Sequence, residues 1–107
     1  MRNYEIFVIF DGKIEEKQLT DWLDKITEDV KNTQGEVLAV DKWGKRQFAF
    51  EVDHRTEGVY TVVSVKAEPN SLDELDQKLR YSDDVVRHKI VRVPDVAFAK
   101  IGQTKTN

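Results

Sequence analysis

The residues that decide the fold are Asp41-Lys42-Trp43-Gly44-Lys45-Arg46-Gln47-Phe48-Ala49-Phe50, running on through Val52 to Glu57-Gly58-Val59-Tyr60. A strand ends near the tryptophan, glycine interrupts it, and the alternation of Phe48, Phe50 and Val52 resumes it on one face. The polar run Asp53 to Gly58 predicts a turn. Val59 to Ala67 predicts the following strand, with Thr61, Val63, Val65 and Ala67 on one face and Tyr60, Val62 and Ser64 on the other. The stretch is therefore a long hairpin, and Lys45-Arg46 is its most obvious chemical handle.

Working outward, Tyr4 to Phe10 is rich in aromatic and β-branched residues and ends at Asp11-Gly12, which predicts a first strand. Both of its faces are apolar near the end, as expected of a central strand. Leu19, Leu23, Ile26 and Val30 recur at helical spacing between Glu15 and Lys31, and Gly35 lies beyond as a stop. Glu36 to Val40 begins the second strand. After Pro69, Ser71 and Glu74 have the spacing of a capping box, followed by the stripe Leu72, Leu75, Leu79 of a short helix. Ser82-Asp83-Asp84 connects to a last strand, Val85 to Val93. The order βαββαβ predicts an α+β, ferredoxin-like sandwich: a four-stranded antiparallel sheet with two helices on one face. One domain is expected over residues 1–93, with a polar, flexible tail over 94–107.

Composition narrows the function. The 107 residues are 39% hydrophobic and 35% charged, enough for one core. Cysteine is absent, which excludes disulfides and thiolate metal sites. No signal-peptide pattern opens the chain, and no run reaches the roughly 18 apolar residues of a membrane span. A soluble, intracellular protein is expected. The net charge is −3, but from Val85 onward five basic residues face one acid, leaving about −7 on Met1 to Asp84. That asymmetry fits either a local anionic partner or a tail kept for solubility.

No catalytic constellation emerges. His88 falls on the core face of the last strand, where a packed histidine with a satisfied nitrogen is expected. His54 falls in a polar turn, and Asp83-Asp84 lacks the further oxygen ligands that a hard cation needs. Residues 46–53 match the RNA-recognition signature at its first, third, fourth and fifth places only. Phe48 and Phe50 are thus expected to pack under the helices; bases stacking on them would instead mark a free-standing single-stranded RNA binder. Trp22 reads as edge-of-core packing. Trp43 reads as packing at a strand kink or, alternatively, as a partner contact.

The opening Met1-Arg2-Asn3-Tyr4-Glu5 resembles that of the bacterial small-subunit ribosomal protein six family. So do Trp43-Gly44-Lys45-Arg46, Phe48-Ala49-Phe50, Glu57-Gly58-Val59-Tyr60, Leu75 to Arg80 and Val86-Arg87-His88-Lys89, in the same order over Met1 to about Val93. The family commonly has a second basic residue where Gln47 stands, and Tyr-Pro where Phe50-Glu51 stands. The resemblance implies a non-enzymatic, cytoplasmic ribosomal protein with no cofactor. It also implies binding to the central domain of small-subunit ribosomal RNA as a heterodimer with small-subunit protein eighteen. Carried onto this chain, the implied RNA contacts are Arg2, Tyr4 and Arg87, then Lys89 and Arg92, with Arg46 as a further candidate. Because the first and last strands are neighbours in this fold, Arg2 and Arg87 are expected to gather at one sheet edge.

Overall fold

A computed structural model describes residues 2–52 and 54–93. Strand β1 (Arg2–Asp11) is followed by helix α1 (Glu16–Asn32), strands β2 (Glu36–Val52) and β3 (Arg55–Ala67), a 3-10 turn (Pro69–Leu72), helix α2 (Asp73–Arg80) and strand β4 (Val85–Val93). The sheet order is β2-β3-β1-β4 with antiparallel pairing throughout. This is the expected ferredoxin-like α+β arrangement, and β1 is central as its two apolar faces require.

Period two sends Ile6, Val8 and Phe10 to one face of β1, where they meet Val63, Val65 and Ala67 of β3. The α1 stripe Leu19, Leu23, Ile26, Val30 and the α2 stripe Leu75, Leu79 close over them, all buried. Each residue hidden this way contributes about 1.5–3 kcal/mol of transfer free energy, so the helices are held by this face rather than by propensity. Thr61 is buried in the same layer, where its hydroxyl donates to the Val8 carbonyl at 3.0 Å. Trp22 packs at the edge of the core as expected, its ring centroid 6.0 Å from that of Phe10.

Helix α1 ends in a Schellman arrangement. Gly35 N–H donates to Val30 O at 2.9 Å and Gln34 N–H to Lys31 O at 3.0 Å. The left-handed residue is Gln34, at φ +66°, rather than Gly35.

Three expectations of local structure need correction. First, β2 is continuous through Gly44, which adopts φ +93° at a register shift against β3. The glycine makes a bulge, not a break, because paired residues on both sides keep the ladder. Second, the hairpin turn is tighter than the polar run suggested. Val52 already pairs with Arg55, and His54, at φ +64°, takes a left-handed conformation just before Arg55. Glu57 and Gly58 are strand residues, opposite Gln47 and Arg46. Third, Ser71 is not a helix cap. It lies inside the 3-10 turn, donates its hydroxyl to Glu68 O at 2.7 Å, and leaves α2 to begin two residues later.

Candidate nucleic-acid and partner interface

Antiparallel register fixes where the basic residues lie. Arg2 pairs with Ala67, and Tyr4 pairs with Val65 on one side and Arg92 on the other, so all three belong to the helix-bearing face. Tyr4 is half-buried against the core, while Arg2 and Arg92 are exposed. Arg87 pairs with Ile9 and Lys89 with Phe7, which lie on the opposite, open face. Arg46 pairs with Gly58, itself opposite Asp11, and joins the open face from β2.

The expected gathering of Arg2 and Arg87 therefore does not occur. Neighbouring antiparallel strands run in opposite directions, so the start of β1 meets the end of β4. Arg2 lies seven residues from Ile9, the partner of Arg87, which is about 23 Å along the strand. The candidates form two groups: Arg2 and Arg92 beside Tyr4, and Arg46, Arg87 and Lys89 across the open face. On that open face Phe7, Ile9, Arg87 and Lys89 line a shallow depression of about 250 Å³.

The aromatic residues of the hairpin are not under the helices. A Cβ built on Gly58 would meet Ile9 Cγ2 at 2.6 Å and Phe48 Cζ at 2.7 Å, so the Phe48 ring lies over Gly58 on the open face. It also meets Tyr60 edge-on, centroids 6.4 Å apart. Between the pairs Gln47–Glu57 and Val52–Arg55, β2 places Phe48 to Glu51 opposite Thr56 alone. That slip breaks the alternation, and Phe50 is left 83% exposed. Trp43 is 51% exposed, so it does not pack into the core at the strand kink. Leu38 and Val40 are exposed as well, so β2, an edge strand, carries four large apolar side chains in contact with water. Their exposure was not legible in the sequence, because a β-rich run looks alike whether a helix covers it or not.

The remaining polar candidates have structural partners. His88 is 14% exposed and its Nε2 lies 2.7 Å from Asp76 Oδ1 on α2, a packed and satisfied histidine as expected. His54 lies at the hairpin tip, 3.3 Å from Glu51. Asp84 Oδ2 accepts from Trp22 Nε1 at 3.0 Å, the Asp84 carbonyl accepts from Asp11 N–H at 2.8 Å, and the Asp83 carbonyl accepts from Arg55 Nη2 at 2.7 Å. The two acids thus organise a loop. Among the described residues no three histidine or acidic groups come together to hold a metal, and no helix is long and apolar enough to cross a membrane. Lys78 Nζ lies 3.0 Å from Asp29 Oδ2, a hydrogen bond and ion pair that raises the lysine above its ordinary range.

Comparison with known proteins supplies the identity of this arrangement. The family model described as Ribosomal protein S6 matches residues 3–92. The small ribosomal subunit protein bS6 of Desulforamulus reducens is 41% identical over 92 residues, covering 86% of this chain and 97% of its own length. That of Corynebacterium glutamicum is 42% identical over 93 residues, covering 87% and 98%. The crystal structure of 30S ribosomal protein S6 from Thermotoga maritima superposes with a TM-score of 0.82 at 22% identity, covering 99% of this chain and 98% of that one, a likeness of fold. On the match over residues 3–92 and these full-length relatives, the chain belongs to the ribosomal protein S6 family.

Proposed function

We propose that this chain binds the central domain of small-subunit ribosomal RNA jointly with small-subunit protein eighteen, and that neither contact suffices without the other. As a member of its family it is a structural, non-enzymatic component of the small ribosomal subunit in the cytoplasm. Membership sets aside a free-standing RNA-reading module.

The observation that carries the joint reading is the division of the cations. The chain has a net charge of −3, and its candidate contacts split into a pair on one face and three on the other. Phosphate contacts supply most of the affinity of nucleic-acid binding, roughly in proportion to the number of cations engaged. Two or three arginines and lysines can clamp and orient an RNA segment, yet they leave an acidic protein short of tight binding. A basic protein partner makes up the deficit. The exposed Trp43 and Phe50, with Leu38 and Val40, offer such a partner an apolar anchor of the kind that dominates protein interfaces.

The test is sedimentation of cell lysate on a sucrose gradient, with and without depletion of small-subunit protein eighteen. The chain is expected in the small-subunit peak and, after depletion, near the top of the gradient. Retention in the peak after depletion would overturn the joint reading, and absence from the peak throughout would overturn the ribosomal one.

A further inference from the structure

The last residue of β1 to pair with β3 is Asp11, opposite Gly58. Beyond that point the β2–β3 hairpin, residues 47–52 and 54–57, continues as a two-stranded ribbon. Among the described residues only the pairs Gln47–Glu57 and Val52–Arg55 lie on its register, with the slip between them. A two-stranded ribbon in water is marginal by itself. Phe48 packs its base against Gly58 and Tyr60, while Phe50 is exposed and adds no such anchor.

One side chain of the ribbon reaches two other segments of the chain. Arg55 Nε lies 3.2 Å from Asp11 Oδ2 at the end of β1, and its Nη2 donates to the Asp83 carbonyl at 2.7 Å in the loop between α2 and β4. Both acceptors are held in place. Asp11 Oδ1 accepts from Lys13 N–H at 2.9 Å, and the Asp11 N–H donates to Asp84 O. Asp84 is in turn fixed to α1 through Trp22. Arg55 is 23% exposed at its side chain, against 55% for Lys45, whose ion pair with Glu57 is longer at 3.7 Å. A planar guanidinium can satisfy two acceptors in different directions at once, which a lysine ammonium on a flexible stem does poorly.

We propose that Arg55 is a positioning residue of the partner surface: it locks the hairpin ribbon to the ends of β1 and of the α2–β4 loop, and so fixes how Phe50 is presented to the partner protein. The inference rests on the joint-binding reading for the identity of that partner. The residue itself need not touch the partner.

The experiment compares the full chain with its Arg55→Ala and Arg55→Lys variants by amide hydrogen exchange and by titration with small-subunit protein eighteen. In Arg55→Ala, protection of the amides over residues 47–57 is expected to fall about tenfold while β1 amides hold within about twofold. Affinity for the protein is expected to fall about tenfold too, with Arg55→Lys recovering part of both. Unchanged ribbon protection in Arg55→Ala overturns the proposal. Lost protection with unchanged affinity also overturns it, since the ribbon would then not be the presented surface. An equal loss of protection over β1 assigns Arg55 to global stability and overturns it as well. If the parent chain fails to bind the protein, the joint-binding reading falls, while the exchange data still decide whether Arg55 holds the ribbon.

Discussion

The division of cations predicts a salt dependence that can be worked from the register. A duplex segment lying along one face meets either Arg2 and Arg92 or Arg46, Arg87 and Lys89, because the two groups occupy opposite faces of the sheet. Each phosphate neutralised contributes about −0.9 to the slope of log affinity against log salt, so two or three contacts give a slope of about −1.8 to −2.7. Raising monovalent salt fourfold, from about 50 to about 200 mM, should then weaken binding by roughly 12- to 40-fold. Engagement of all five cations would give a slope near −4.5 and a loss of about 500-fold over the same interval. The assay is filter binding of the isolated chain to a central-domain RNA fragment across that range. Arg87→Ala should make the slope shallower by about 0.9 if the open face is engaged, and Arg92→Ala should do so if the helix-bearing face is. A slope steeper than about −4 would rule out binding through a single face, since it requires contacts on both faces at once.

Three further outcomes follow from local geometry. Gly58→Ala places a methyl group 2.6 Å from Ile9 Cγ2 and 3.0 Å from the Phe10 carbonyl; such overpacking costs about 1–3 kcal/mol, read as a lower urea midpoint at unchanged slope. An unchanged midpoint would mean that the β1–β3 contact there is looser than described. Gln34→Gly relieves the left-handed strain at φ +66° and should raise stability by about 0.5–1 kcal/mol in the same assay. The Asp29 hydrogen bond raises Lys78 in the folded state, so its stabilising contribution is full below the ordinary lysine range and disappears as pH climbs through the raised value. The difference in Tm between the parent and Lys78→Gln should therefore be steady at neutral pH and close above about pH 10.5; a gap that persists at higher pH would count against this origin.

Much of the fold was legible because its signals are periodic. The α1 stripe Leu19, Leu23, Ile26, Val30 and the β1 alternation Ile6, Val8, Phe10 identify their core faces without any tertiary information. The hairpin was harder, because its alternation is interrupted at Gly44 and again over Phe48 to Glu51, where extra residues shift the face. Period two groups Phe48 with Phe50 without saying which face they share; the Arg46–Gly58 pair puts Phe48 on the open face, and the slip beyond Gln47 leaves Phe50 exposed. The turn was misplaced for a related reason: His54 adopts the left-handed conformation that Asn or Gly would have advertised. At the candidate site, residue types were readable but their grouping was not. Adjacency of β1 and β4 followed from topology, whereas the separation of Arg2 from Arg87 needed the strand directions and the faces together. The role of Arg55 left no local signal, since its partners Asp11 and Asp83 are distant in sequence.

On the proposed function, RNA binding by this chain is conditional on a basic protein partner. The most direct measurement titrates a central-domain RNA fragment at physiological salt with the chain alone, with small-subunit protein eighteen alone, and with both. Weak retention of RNA by this chain alone is expected, with a tight ternary complex containing both proteins in equal amounts. Tight binding by the isolated chain, undiminished by omission of the partner, would contradict it.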